Sequence, residues 1–159
     1  MKKLFLAAVV GLFAFSATAQ NFGAGLSVGL PVGDAGDLAT FNVTVDVNYL
    51  WEVSDDFDAG VTVGFSQNFG DEINGFEIDD VQFLPVAGRA AYNVSEDFSI
   101  GADLGYAVGI NDGNDGGFLW APRVGYGVSD SIDIVLSYNN VSLDGGTWSN
   151  VNLGVNFGL

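Results

Sequence analysis

The chain of 159 residues contains no cysteine and no histidine, and only four lysine and arginine residues accompany its 20 aspartate and glutamate residues. The absence of cysteine excludes disulfides, thiolate metal sites, thiol catalysis and a cysteine-linked lipid anchor. The absence of histidine removes the commonest general base and metal ligand near neutral pH. The scarcity of basic residues excludes nucleic-acid binding, which needs lysine and arginine to neutralise phosphates. These absences exclude most enzyme classes and every class of DNA-binding protein.

The N-terminal segment has the three regions of a secretory signal peptide. Two lysines are followed by an apolar run over residues 4–15 and by the small-residue cleavage pattern Ala17-Thr18-Ala19. The run is shorter than the ~20 residues that a spanning helix needs, so a retained anchor helix is the weaker alternative. We therefore expect a signal peptide at residues 1–19 and a mature domain at residues 20–159. Because cleavage removes both lysines, it changes the net charge from −16 to −18.

The mature chain alternates apolar residues with small or polar residues at period two, which predicts β-strands with one apolar face. No residue on the apolar face of these segments is charged. The opposite face is rich in glycine, serine, asparagine and threonine. The eight segments cover residues 22–32, 41–53, 57–65, 84–94, 98–110, 118–128, 132–138 and 151–159.

The direction of the apolar face decides between two kinds of barrel. That face carries 14 aromatic residues, more than the interior of an eight-stranded barrel can hold. A soluble, lipocalin-like barrel would also have a surface of small residues instead of the charged surface of a soluble domain. An outward apolar face needs lipid, where the sheet must close to pair its backbone groups. The sequence therefore predicts an all-β fold, an eight-stranded antiparallel transmembrane up-and-down β-barrel.

The connections between the segments fall into two classes. Three short turns share a serine and acidic residues, at Ser54–Asp56, Ser95–Asp97 and Ser129–Ser131. Longer connections are predicted over residues 33–40, 67–80, 111–117 and 140–150. Short turns on one side and longer loops on the other are typical of bacterial outer-membrane barrels, in which the turns face the periplasm. An aromatic belt is expected beside the turns, at Tyr49, Trp51, Phe57, Tyr92, Phe98 and Tyr126, with Ile132.

With these features, residues 20–159 resemble the small eight-stranded outer-membrane proteins of the OmpX/OmpA-barrel type, also described as porin-family β-barrel domains. The C-terminal alternation that ends in Val155, Phe157 and Leu159 is similar to the strand that the barrel-assembly machinery recognises, with leucine in place of the terminal aromatic. The resemblance implies a location in the outer membrane of a Gram-negative bacterium, with outer-membrane lipid and lipopolysaccharide as neighbours. It also implies engagement of the barrel-assembly machinery during biogenesis. We expect a monomer without a cofactor.

The resemblance leaves more than one function open, because one barrel fold supports many functions. Enzymes with this kind of barrel resemble lipid A-modifying enzymes or surface proteases, which combine histidine with serine, aspartate or glutamate. Since this chain has no histidine, we expect no enzymatic activity. The expected role is a membrane scaffold that displays short acidic surface loops. The alternative is a narrow porin-like channel for small solutes or ions.

Four charged residues fall on the small, lumen-facing side of their segments: Arg89, Asp103, Arg123 and Asp46. If the strands on either side of the turn at residues 95–97 pair symmetrically, Arg89 lies directly opposite Asp103. One interpretation is a structural plug of ion pairs that compensates charge in a tight lumen. The other is a selectivity constriction in a small pore.

The most acidic stretch lies in the second predicted loop and contains no basic residue. Its acidic residues are Asp71, Glu72, Glu77, Asp79 and Asp80. One interpretation is a solvated, self-repelling surface loop. The other is a weak contact for divalent cations near the lipopolysaccharide headgroups. No spacing in the chain indicates a dedicated metal site, because the EF-hand pattern is absent.

Overall fold

The computed structural model describes residues 22–159, so the predicted signal peptide lies outside the described residues. Eight long strands close into one antiparallel barrel, which confirms the predicted fold class. The barrel strands are β1 (Phe22–Val32), β2 (Ala39–Ser54), β3 (Phe57–Gly70), β6 (Val81–Asn93), β7 (Phe98–Gly109), β8 (Gly117–Ser129), β9 (Ile132–Leu143) and β10 (Gly146–Gly158). The two-residue strands β4 (Glu72–Ile73) and β5 (Phe76–Glu77) form a separate hairpin. The described part of the chain contains no helix with the length and apolarity to span a membrane.

Each barrel strand pairs with its neighbours along the chain, and β1 pairs with β10 to close the sheet. The register places apolar residues opposite apolar residues, as in the pair Val47↔Val63. It likewise places lumen-facing residues opposite small partners, as in the pair Asp46↔Gly64. Because a slip of one residue would turn every apolar side chain inward, the alternation itself specifies this register.

The outward face carries a continuous apolar surface with aromatic rings at both ends. On the turn side, Tyr49 contacts Phe22 and Trp51 edge to face, with ring centroids 4.8 Å and 5.0 Å apart. This belt continues around the barrel through the strand pairs Phe57↔Tyr92 and Phe98↔Tyr126. On the loop side, Phe41 stacks on Phe69, and a further aromatic pair, Trp120 against Tyr138, lies nearer the middle of the outward face, where Trp120 is the strand partner of Leu104. The sequence predicted only the belt beside the turns.

Three of the four longer connections occur close to where they were predicted, and the fourth does not. The first contains a short 3-10 turn at Gly33–Asp37, and the second contains the β4–β5 hairpin. The loop predicted over residues 140–150 is wrong, because β9 and β10 continue until only Asp144 and Gly145 connect them. The polar residues in that stretch pair across the two strands, and Asn140 Nδ2 donates to Ser149 Oγ at 2.7 Å. Their polarity indicated a loop, whereas they face each other in a continuing sheet.

Two prolines interrupt the sheet without shifting its register. Between β3 and β6, pairing stops after Val63↔Val86 and resumes at Ser66↔Phe83, and Pro85 lies in the gap. Pro122 lies in a similar gap between β8 and β9. Proline has no backbone N–H to donate, so each proline costs local ladder hydrogen bonds. The ladders on either side keep the barrel closed.

Candidate functional site in the lumen and outer loops

Four charged side chains meet inside the barrel, and together they are called the ion cluster: Asp46, Arg89, Asp103 and Arg123. Arg89 donates from Nε and Nη2 to the two carboxylate oxygens of Asp103, each at 2.8 Å. Its Nη1 donates to Asp46 Oδ2 at 3.2 Å, and Arg123 Nη1 donates to Asp103 Oδ2 at 3.3 Å. The Arg89 and Asp103 side chains are only 6% and 12% exposed. The cluster contains two charges of each sign, so the buried charges compensate one another.

The strand register brings the ion cluster together. Arg89 and Asp103 are direct partners between β6 and β7, the position that the sequence register predicts for them. Arg123 on β8 lies opposite Gly101 on β7, one pleat below Asp103. Asp46 belongs to β2, which is separated from β6 by β3, so Arg89 reaches across β3 to contact it.

Glycines lie opposite these charged side chains in the strand register, and two of them leave room for Asp46. A Cβ on Gly25 would lie 2.3 Å from Asp46 Oδ1, so any larger residue there would collide with the carboxylate. The same pairing of glycine with charge recurs around the cluster. The pairs are Gly25 and Gly64 with Asp46, Gly60 with Arg89, and Gly101 with Arg123. Sequence reasoning placed these glycines on the lumen face but missed their role, because that role depends on the register between strands.

Neutral polar side chains complete the surroundings of Asp46. Its Oδ2 accepts hydrogen bonds from Thr62 Oγ1 at 3.2 Å and from Asn48 Nδ2 at 3.3 Å. Asn48 Nδ2 also donates to Asn156 Oδ1 at 3.0 Å, which extends the network to β10. Asp46 is therefore held by neutral donors as well as by Arg89.

Above the ion cluster, toward the loops, apolar side chains pack on one side of the lumen and form the apolar cap. Buried polar side chains, among them Asn42, Thr44 and Ser66, occupy the other side. Phe83 and Trp148 are 2% and 6% exposed, with ring centroids 6.4 Å apart. Trp148 Nε1 donates to Asn68 Oδ1 at 2.9 Å, which satisfies its buried N–H. The other members of the cap are Ala35, Ala39, Ala87, Ala107, Leu119 and Val141.

The sequence analysis missed this cap because it expected only small or polar residues in the lumen. The signal was present for Phe83, since it precedes the outward-facing Leu84 and period two therefore turns it inward. Leu119 is likewise inward because it lies between the outward-facing Phe118 and Trp120. Trp148 gave no such signal, because the sequence placed it in a loop.

Two small cavities flank the ion cluster. One has a volume of about 90 Å³ and extends from Phe83 and Leu119 down to the cluster. The other has a volume of about 70 Å³ and lies toward the turns, beside Asn48. Arg89 and Arg123 line both cavities, so the cluster lies between them. Each has room for a few water molecules.

The acidic stretch of the second loop folds into the β4–β5 hairpin. Glu72 lies directly opposite Glu77, and Ile73 lies directly opposite Phe76. The tip consists of Asn74 and Gly75, whose φ angles of 53° and 82° fit the two-residue turn that matches strand twist. Phe76 is 76% exposed.

The base of the hairpin is fixed to the barrel by hydrogen bonds. Asp80 accepts from Gln67 Nε2 at 2.7 Å and from the backbone N–H of Gly70 at 3.0 Å. Ile78 N donates to the Asp71 carbonyl at 2.8 Å, which closes the base of the loop. Asp80 thus has a structural role within the loop.

An open crevice of about 700 Å³ lies between the hairpin and the third loop. All five acidic residues predicted for this loop line it, together with Asn111 and Asp112. Within residues 22–159, however, no group of three or more acidic side chains is arranged to hold a metal ion. The five carboxylates share one crevice without converging on one point.

A family comparison decides the identity of this barrel. Residues 5–158 match the model of the outer membrane protein beta-barrel domain. The chain belongs to this family. No curated protein sequence matches the chain.

Solved structures of natural and designed barrels share the fold. Ail of Yersinia pestis in a phospholipid bilayer nanodisc aligns with a TM-score of 0.60 and 16% identity, over 85% of this chain and 97% of Ail. A de novo designed barrel, TMB2.3, aligns with a TM-score of 0.59 and 14% identity, over 91% and 98% of the two chains. Neisserial surface protein A aligns with a TM-score of 0.51 and 13% identity, over 87% and 97%.

As an outer-membrane β-barrel protein, the chain resides in the outer membrane, which confirms the predicted location. Its outward apolar residues contact lipid, which explains why large side chains such as Leu104 and Leu153 are more than half exposed in the isolated barrel. The aromatic belts lie where the hydrocarbon meets the headgroups. Its acidic loops extend from one end of the barrel, and its tight turns lie at the other.

Proposed function

We propose that this outer-membrane β-barrel protein is a non-enzymatic, non-conducting scaffold that displays acidic loops at the cell surface. The observation that carries the proposal is the double closure of the lumen, by the ion cluster at mid-depth and by the apolar cap above it. A conducting pore needs a continuous polar path. Here the path meets the paired charges of the ion cluster, and above them the lumen is packed by Phe83 and Trp148 together with the buried side chains of Asn42 and Asn152.

The charge distribution also opposes conduction. Among the described residues, Arg89 and Arg123 are the only basic side chains, and both lie in the lumen. Acidic residues crowd the loop side and repel anions from that mouth. They are Asp34, Asp37, Asp71, Glu72, Glu77, Asp79, Asp80, Asp112, Asp115 and Asp144. A cation that entered would meet the charge-balanced ion cluster, which offers it no net attraction.

The chemistry of the lumen supports a non-enzymatic role. The chain has no histidine, and the two buried carboxylates of the ion cluster are engaged by arginines. A general base needs a free lone pair directed toward a substrate proton. Asp46 and Asp103 direct theirs toward arginine.

The loops are suited to positively charged partners. Ail of Yersinia pestis was crystallised with the heparin analogue sucrose octasulfate, and that structure aligns with a TM-score of 0.51 and 17% identity. The loops described here contain no basic residue, so a polyanion of this kind would be repelled. We infer that the displayed surface selects cationic partners.

Planar-bilayer recording tests the proposal. We expect the refolded wild-type protein to give no conductance steps, because both closures are intact. The double variant Phe83→Ala/Trp148→Ala removes the cap, and we expect it to remain silent because the ion cluster still closes the lumen. A heat-modifiable shift in SDS gels confirms that each sample is folded. Stepwise conductance by the folded wild type would refute the closed lumen.

A narrow ion channel is the second candidate, and the two cavities beside the ion cluster favour it. If water connected them past the arginines, Arg123 would set the ion selectivity. In that case the wild type would conduct, and the reversal potential of Arg123→Gln would be shifted from the wild-type value toward cation selectivity. Measurement under a salt gradient distinguishes this candidate from the scaffold.

A further inference from the structure

The β4–β5 hairpin has two features that do not stabilise the protein in the absence of a partner. Glu72 and Glu77 lie directly opposite each other, and like charges in that position destabilise a strand pair. Phe76 is the most exposed large hydrophobic side chain of the described residues, and it lies in the loop hairpin, outside the barrel strands that carry the lipid-facing residues. Ile73 lies opposite Phe76 and extends the apolar surface.

The hairpin presents these side chains in a fixed geometry. The Asn74-Gly75 turn matches the twist of the strands, and the base is held by the hydrogen bonds of Asp71 and Asp80. A surface ordered before binding loses less conformational entropy when a partner docks. The hairpin thus has the rigidity of a recognition element.

The acidic crevice beside the hairpin identifies the charge of the partner. Six carboxylates line its volume of about 700 Å³, yet no three acidic groups of the described chain converge as metal ligands would. Negative charge spread over such a volume complements several separate positive charges better than one compact ion. Lysine and arginine side chains along a peptide segment supply several separate positive charges of this kind.

We propose that the crevice and the hairpin form a docking surface for a basic, amphipathic segment of a protein partner. Lysine or arginine side chains of the partner enter the crevice and offset the repulsion between Glu72 and Glu77. Apolar side chains of the same segment pack on Phe76 and Ile73. The proposal rests on the proposed display role of the loops, but it does not depend on whether the lumen conducts.

Binding of two synthetic peptides to the protein in phosphatidylcholine nanodiscs tests this docking surface. One peptide alternates lysine and leucine, and the other has the same charge with serine in place of leucine. We expect the lysine–leucine peptide to bind at least tenfold more tightly, after subtraction of its binding to empty nanodiscs. Phe76→Ser should reduce that preference at least fivefold, whereas Phe76→Leu should largely retain it. Titration calorimetry measures all of these affinities.

Charge variants on the two sides of the barrel provide the matched control. Glu72→Gln/Glu77→Gln should weaken binding of the lysine–leucine peptide at least tenfold. Glu96→Gln/Asp97→Asn removes the same charge from a turn on the opposite side and should leave the affinity within twofold. Heat-modifiable mobility in SDS gels verifies the folding of each variant.

Three results would overturn the proposal. The first is equal loss of binding in the two charge variants, which would show attraction by net charge alone. The second is a preference for leucine that Phe76→Ser leaves unchanged. The third is saturable calcium binding that Glu72→Gln/Glu77→Gln abolishes, combined with equal affinity of the protein for the two peptides. That combination would indicate a cation site. A conducting barrel that still discriminates between the peptides would refute the closed lumen and retain the docking surface.

Discussion

At the scale of single residues, the lumen depends on which side chains are absent as much as on which are present. Gly25 and Gly64 face Asp46 across the neighbouring strands, and a Cβ on either would approach the Asp46 side chain. Gly60 and Gly101 are instead required by close approach to the backbone at Tyr49 and Ala90. Glycine is otherwise a poor strand residue, because it has no side chain to pack and loses more backbone entropy on folding. Its frequency in this chain, 23 residues, is explained in part by the space that the cluster requires.

Two glycines at similar depth are expected to respond oppositely to alanine. At Gly105, a Cβ would lie 2.1 Å from the Val86 carbonyl oxygen, so Gly105→Ala should destabilise the barrel by about 1–3 kcal/mol. At Gly88, the nearest heavy atom lies 3.8 Å away, so Gly88→Ala should be neutral or stabilise by up to about 1 kcal/mol. Urea unfolding in lipid vesicles measures both changes. Equal effects of the two substitutions would contradict the assigned packing.

The sequence alone does not show which glycines have room for a side chain. From the alternation, serine at the lumen-facing Gly64 is expected to be far milder than arginine on the outward face. The structure adds a cost for that serine, because a Cβ there would lie 2.6 Å from the Val45 carbonyl oxygen. Period two indicates which face a residue occupies, whereas the space at that position depends on the register and twist of the adjacent strands.

At the scale of elements, the sequence was most informative where one face is apolar. All eight barrel strands were predicted, because lipid on one side and the lumen on the other produce a strict alternation. The prediction was wrong for the loop-side ends of β9 and β10, where the outward face becomes polar and the inward face carries Val141 and Trp148, so the alternation is inverted. This inversion hid Trp148, whose inward direction follows from its pairing with Val141.

Arginine substitutions on the outward face test how deeply each position lies in lipid. Val63 and Leu104 are outward-facing positions near the middle of their strands, so Val63→Arg or Leu104→Arg should cost about 2–4 kcal/mol of unfolding free energy. Val53→Arg is the control, because Val53 lies beyond the aromatic belt at the end of β2, where the cost should fall to about 0–1 kcal/mol. Urea unfolding in lipid vesicles measures these values. A similar cost at all three positions would contradict the assigned membrane span.

At the scale of the whole molecule, the closed barrel followed from composition and periodicity, and the outer-membrane location followed from the resemblance to small outer-membrane barrels. The function did not follow, because barrels of one architecture differ in what fills the lumen and what extends from the loops. The pairing of Arg89 with Asp103 was predictable from strand symmetry, and Asp46 and Arg123 were grouped with that pair by face and depth. The direct contact of Arg89 with Asp46 was not predictable, because it depends on the curvature that brings β6 within reach of the nonadjacent β2.

The central claim is that the ion cluster is a buried structural closure of the lumen. A double-mutant cycle on Arg89 and Asp103, measured by urea unfolding in lipid vesicles, tests it most directly. Each single substitution to alanine leaves the cluster with unequal charge, so each should lower the free energy of unfolding by about 3–5 kcal/mol. The double variant leaves one charge of each sign, on Asp46 and Arg123. Its loss of unfolding free energy should be smaller than the sum of the two single losses by about 0.5–3 kcal/mol. Small, additive losses would contradict the account and would indicate a hydrated channel in place of the closure.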